Sequence, residues 1–211
     1  MSDIYISLLE ENQNLSEFEI TENFSCVRFL DQNKERFELE FNLEKGTSFN
    51  TFFIRSQEEL FIIHPPEKQY LNSFNKVISR FCDQFKLDKI NFISGHINPQ
   101  IIQTIKNIST KFQNTTITCS NPGFKLINEL WNQRNPNLKD FVEIELPKIN
   151  IVKKDLNLEL DNISLELIPI PTARWPGGLI IYERNQEILL SEKIFSAHIC
   201  LLYTSPSPRD S

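Results

Sequence analysis

Between Phe24 and His64 the apolar residues fall into short alternating or continuous runs: FSCVRFL (24–30), RFELEFNL (36–43), FNTFFIR (49–55) and ELFIIH (59–64). The polar breaks DQNKE, EKGTS and SQE separate them. Runs of this period and length predict antiparallel strands joined by short turns. Past Pro65 and Pro66 the period lengthens. Leu71, Phe74, Val77, Ile78, Phe81 and Phe85 recur at steps of three and four, the apolar stripe of an amphipathic helix that needs a sheet to cover. A buried strand INFIS (90–94) follows, then a helix with Ile101, Ile105, Ile108 and Phe112 on one face, a strand TITCS (116–120) and a helix after Pro122. From Phe141 the strand pattern returns in FVEIEL, INIVK, LNLEL, ISLELIPI, LIIYE and EILLS, the last two joined by ERNQ. Strands, then β-α-β-α units, then strands again predict an α/β chain with two mixed sheets face to face and helices outside. The expected architecture is a four-layer αββα sandwich, incomplete at the C-terminus, over residues 1–199. Residues 200–211 end in a Ser/Pro-rich stretch that reads as an adapter-derived or disordered tail. No internal repeat is visible.

With 211 residues, 40% of them hydrophobic and 24% charged, the chain is long enough for a substantial core. A net charge of -6 and a pI near 5.2 argue against nucleic acid or anionic membrane as a partner, since both reward clustered Lys and Arg. No apolar run approaches the roughly 20 residues of a membrane span, and the start MSDIYISLLEENQNL lacks the basic-then-apolar order of a leader. A cytoplasmic location is the expectation. Cys26, Cys82, Cys119 and Cys200 stand far apart without zinc spacing and read as reduced thiols, Cys26, Cys82 and Cys119 on buried faces.

The candidate chemistry sits in SGHINPQ (94–100), a histidine loop between a strand and a helix. Together with GTSFNTFFI (46–54) and PTARWPGGLIIYERNQEILLSEKIFSAH (171–198), it resembles the metallo-β-lactamase-like domain of flavodiiron proteins, in particular the cyanobacterial diflavin type. Order and spacing agree over nearly all of residues 1–199, with Trp175, Pro176, Tyr182 and Ser191 to Phe195 in register. In that family the loop reads His-x-Glu-x-Asp-His, a later strand end His-Trp-Pro-Asp, and a hairpin ends Ser-Asn-Asp-Ala-Phe-Gly. The resemblance implies an oxidoreductase passing electrons from NAD(P)H through FMN to oxygen or nitric oxide at a di-iron site. The FMN domain is expected outside these residues.

Two irons at close range need imidazole and carboxylate ligands to neutralise them. Carried over residue by residue, His96 matches the first histidine of the family. Asn98 stands for the glutamate, Gln100 for the aspartate, Ile101 for the second histidine, Arg174 for the histidine before Trp-Pro and Lys193 for the bridging aspartate. One of these six positions keeps a metal-binding side chain, so neither a di-iron centre nor a catalytic residue is expected. Arg174 and Lys193 are expected to fill the former metal space and to bond the amides of Asn98 and Gln100 or a nearby acid. Glu166, Glu183 or Glu192 would have to neutralise both cations before any metal could bind. A zinc hydrolase fails on the same ligands. The resemblance leaves two roles open, an oxidoreductase fragment and a non-catalytic subunit that pairs with a ligand-intact paralogue, and implies a homo-dimer or a hetero-dimer with a paralogue. His64 reads as a surface histidine at a strand end, His198 as structural, Asn121-Pro122-Gly123 as a strand-to-helix turn, and Trp131 as core.

Overall fold

The computed structural model describes residues 15–31, 47–133 and 144–194, with the backbone of short strands at 6–7, 36–37 and 40–41. The tail at 200–211, with His198 and Cys200, lies outside the described residues. The first strands are β1 (Ile6–Ser7), β2 (Leu15–Thr21), β3 (Phe24–Asp31), the pair β4 (Arg36–Phe37) and β5 (Glu40–Phe41), β6 (Thr47–Ser56) and β7 (Glu59–Ile63). Helices and strands then alternate as α1 (Leu71–Phe85), β8 (Lys89–Ile93), α2 (Pro99–Lys111), β9 (Thr115–Ser120), α3 (Asn121–Asn132) and β10 (Lys148–Val152). Four strands follow: β11 (Leu156–Leu160), β12 (Ile163–Pro169), β13 (Leu179–Glu183) and β14 (Ile188–Leu190).

The large sheet has the order β1-β2-β3-β6-β7-β8-β9-β10. It is antiparallel up to β7 and parallel from β7 to β10. Hairpins build the first half, and helical crossovers impose parallel pairing on the second. The small sheet, β11-β12-β13-β14, is antiparallel throughout, so only one of the two sheets is mixed as expected. Three of the four layers are described: α1–α3, the large sheet and the small sheet. Among the described residues no helix covers the outer face of the small sheet, where Leu189 is 45% exposed.

Two cores hold the layers together. Between the helices and the large sheet lie Phe53, Phe74, Phe81, Phe92, Ile101, Ile105, Ile117 and Trp131, with the Phe53 and Phe81 rings stacked at 5.1 Å. Between the sheets lie Phe24, Ile54, Ile63, Ile93, Leu165, Leu167, Leu179 and Ile181. Each fully buried side chain of this size stabilises by roughly 1.5–3 kcal/mol. Cys26, Cys82 and Cys119 are buried thiols without disulfides, and burial pushes them up to about 11, 11 and 12. They are therefore poor nucleophiles at neutral pH. Among the described residues no helix is long and apolar enough to cross a membrane.

Two strand expectations change. RFELEFNL contributes β4 and β5, which pair with each other rather than extending the large sheet. The described part of FVEIEL is not a strand: the Trp131 indole donates to the Ile144 carbonyl at 2.9 Å, and a backbone acceptor used by a side chain is lost to a ladder.

Candidate functional site

The parallel strands β7, β8 and β9 end side by side, and ligand sites of open α/β sheets lie beyond such carboxyl ends. Here the edge is built from residues 64–67 after β7, 94–98 after β8, 171–178 before β13, and 191–194 after β14. Sequence chemistry sets each loop. Asn98 caps α2 by accepting from Ile101 N at 2.8 Å with Pro99 behind it, and Ser120 caps α3 by accepting from Gly123 N at 3.2 Å; a short polar side chain before proline is a strong helix start. Ser120 Oγ also donates to the Gly177 carbonyl at 2.9 Å, fastening the 171–178 loop to the end of β9.

His64 is 2% exposed, not on the surface as expected. Its strand is central in the large sheet, and residues 94–98 and 191–194 roof its end. Backbone φ values of 57° at His64 and 54° at Glu192 turn these two residues into the left-handed region. His64 Nδ1 lies 3.6 Å from Glu192 Oε1, beyond hydrogen-bond reach. Burial pulls the imidazole down to about 4, with nearby His96 adding to the effect and the Leu190 carbonyl opposing it. Desolvation thus dominates, and His64 is neutral at pH 7.

That shift has a pH consequence. The unfolded imidazole binds its proton near 6.5 and the folded one near 4, so the unfolded state gains protons first as pH falls. Stability is expected to be highest above pH 6.5 and to drop through the window from 6.5 to about 4, by up to about 3 kcal/mol. Urea unfolding at several pH values measures it, and His64→Gln should flatten that component of the slope.

The positions singled out by sequence divide into three groups. His96 and Asn98 come together: Asn98 Nδ2 lies 3.2 Å from His96 Nε2 and 3.3 Å from Glu67 Oε1, and Ser94 Oγ donates to the His96 carbonyl at 2.9 Å. Gln100 and Ile101 leave the site. Gln100 is exposed on the first turn of α2 rather than turned inward, and Ile101 is wholly buried in the helix–sheet core. Arg174 is exposed, its guanidinium 5.0 Å from the Trp175 ring centroid. Lys193 is half-buried in the turn closed by Ile194 N to the Ser191 carbonyl at 3.1 Å. The Asn98 amide is thus engaged by Glu67, His96 and the helix start. Of the three acids weighed as substitutes, Glu192 reaches the site; Glu166 pairs with Arg184, and Glu183 lies at the far end of β13. Glu67 escaped sequence reading, because nothing local to PPEKQY marks it as facing the histidine loop. Among the described residues no three His, Cys, Asp or Glu side chains form a group able to hold a metal ion.

The ODP family beta lactamase domain matches residues 47–204. Diflavin flavoprotein A 5 of Nostoc sp. strain PCC 7120 is 32% identical over 181 residues, covering 86% of this chain and 30% of that protein. The metal-soaked Flv1 flavodiiron core from Synechocystis sp. PCC6803 superposes with a TM-score of 0.75 at 28% identity, over 89% of this chain and 44% of that one. The crystal structure of fragment 1–254 of the Nostoc A 5 protein gives 0.73 at 29% identity, over 89% and 69%. The chain spans about 30% of the length of the curated relatives it matches. The chain belongs to the ODP beta-lactamase family and carries the metallo-β-lactamase-like domain of the flavodiiron, diflavin flavoprotein type.

Proposed function

We propose that this chain is the β-lactamase-like part of a flavodiiron-type oxidoreductase, and that its pocket carries no di-iron centre. The observation that carries this reading is the donor set: at the six family ligand positions stand one imidazole, two amides, an isoleucine and two permanent cations. The amide of Asn98 is already committed to Glu67, His96 and α2. A unit charge pair at about 4 Å is worth about 4 kcal/mol at an effective dielectric near 20, and a divalent ion doubles it. Solvent screens exposed Arg174, so the repulsion rests mainly on half-buried Lys193 in the 191–194 turn. Among the described residues His64, His96, Glu67 and Glu192 form no group able to hold a metal ion, so they neither offset that repulsion nor supply a bridge between two ions.

A second role fits the same site. Loops that a metal ion would tie together are tied instead by side chains, which suits a subunit that keeps the shape of the domain while a ligand-intact paralogue does the chemistry. Iron analysis of the purified full-length protein is expected to find well below one iron per chain. About two per chain would overturn the reading, since that is the stoichiometry of a two-metal site. Oxidation of NAD(P)H by oxygen then separates the roles. Turnover by the full-length protein alone supports its own oxidoreductase function by a route other than this pocket, and turnover only when mixed with a ligand-intact diflavin flavoprotein supports the partner role.

A further inference from the structure

Three demands meet at Asn98. Its Oδ1 accepts from Ile101 N at 2.8 Å, which fixes the amide orientation and turns Nδ2 toward Glu67 Oε1 at 3.3 Å and His96 Nε2 at 3.2 Å. An amide nitrogen has two hydrogens to donate and accepts none. Both neighbours must therefore accept. The Glu67 carboxylate does so readily, but an imidazole nitrogen accepts only when bare, which leaves the ring proton on Nδ1.

We infer that Asn98 is a latch: it holds His96 as the neutral tautomer protonated at Nδ1 and cross-links the loop after β7 to the loop after β8 through Glu67. With its Nε2 lone pair engaged by an amide hydrogen and its Nδ1 protonated, His96 has no nitrogen to offer a metal ion. The amide does mechanically what a shared ion would do, joining two loops at one point. Asn98 is thus a positioning residue with a double attachment, to a helix start on one side and to two loop side chains on the other. Ser94 Oγ holds the His96 carbonyl at 2.9 Å, so the ring is presented to the amide from a fixed backbone. The inference deepens the reading of a pocket without di-iron and rests on it, because iron at His96 would compete for the same lone pair.

The test is the tautomer. In the 211-residue chain labelled with ¹⁵N-histidine, two-bond ¹H–¹⁵N spectra at neutral pH report which ring nitrogen carries the proton, and His96→Gln identifies the signal. His96 is expected to show a protonated Nδ1 and a hydrogen-bonded, bare Nε2. Asn98→Asp keeps the helix cap but presents only acceptors to the ring, so it is expected to move the proton to Nε2. If the added carboxylate beside Glu67 prevents folding, Asn98→Ser still caps α2 without reaching the ring, and should lose the fixed Nδ1-protonated pattern. A wild-type His96 protonated at Nε2, an averaged wild-type pattern, or a folded variant with an unchanged pattern would each overturn the latch. Metal analysis of the same sample separates the failures: about two irons per chain ends the di-iron-free reading, whereas the wrong tautomer in a metal-free sample ends the latch alone.

Discussion

Gly95→Ala is expected to lose roughly 3–4 kcal/mol of stability. A Cβ at this position would lie 2.6 Å from the Leu179 carbonyl oxygen, 2.7 Å from Leu179 N and 2.9 Å from Glu192 Oε2. The first two are backbone atoms of β13, where Leu179 pairs with Pro169 of β12, so relief requires moving a strand rather than turning a side chain. The third is the carboxylate facing His64. One methyl group would therefore push the histidine loop away from the small sheet and disturb the His64–Glu192 approach at the same time. Gly123→Ala is the matched comparison: its nearest contacts are Ser120 Oγ at 3.2 Å and Cys119 Cβ at 3.3 Å. The crowding there is mild, and alanine gains up to about 1 kcal/mol of helix propensity. Denaturant unfolding of both variants gives the comparison, and a Gly95→Ala protein as stable as the parent would mean that the two loops are not in the contact described.

What the sequence reveals here depends on how local each signal is. The stripe from Leu71 to Phe85 predicts α1 because its period is a property of one segment, and Phe74, Val77, Ile78 and Phe81 are buried as that stripe requires. The helix expected after Pro122 is legible for the same reason, although it begins at Asn121, so the Asn121-Pro122-Gly123 stretch read as a turn is its first turn. FVEIEL misleads because its described backbone is claimed by Trp131, a residue on another element. His64 misleads because exposure of a strand end is decided by whatever roofs it, and its roof comes from loops far along the chain.

The candidate site divides along the same line. The residue types at the family ligand positions are read directly from SGHINPQ and from Arg174 and Lys193, and they suffice to raise the question of a missing metal. Their arrangement is not legible. No pattern in PPEKQY announces that Glu67 meets Asn98, since that contact depends on β7 and β8 lying parallel in register from Glu59–Lys89 to Ile63–Ile93, while the Asn98–His96 contact depends on the backbone turn of one loop. Ile101 shows the converse: its place in an i, i+4 stripe with Ile105 predicts core burial from periodicity, and that is where it lies.

The second large effect is expected at the opposite end of β13. Glu183→Ala should lose about 4 kcal/mol, because it strips acceptors from three backbone donors at once. Glu183 is wholly buried. Its Oε1 accepts from Ser164 N at 3.2 Å and Asn185 N at 3.1 Å, and its Oε2 accepts from Gln186 N at 2.6 Å. One side chain therefore closes the β13–β14 turn and ties it to β12, beside a cavity of about 150 Å³ lined by Glu22, Asn162 and Gln186. Glu183→Gln keeps a single acceptor oxygen and turns an NH₂ group toward a donor, so it should fall between the parent and alanine, at about 2 kcal/mol. The effect should also reach the candidate site. This turn sets the register that places Ile188 opposite Glu183 and Leu190 opposite Ile181, and Glu192 follows two residues after β14. Loosening the turn should thus free Glu192 from His64 and raise amide hydrogen exchange in residues 190–194 well before global unfolding. Exchange confined to residues 184–188 would show instead that the turn and the site are mechanically independent.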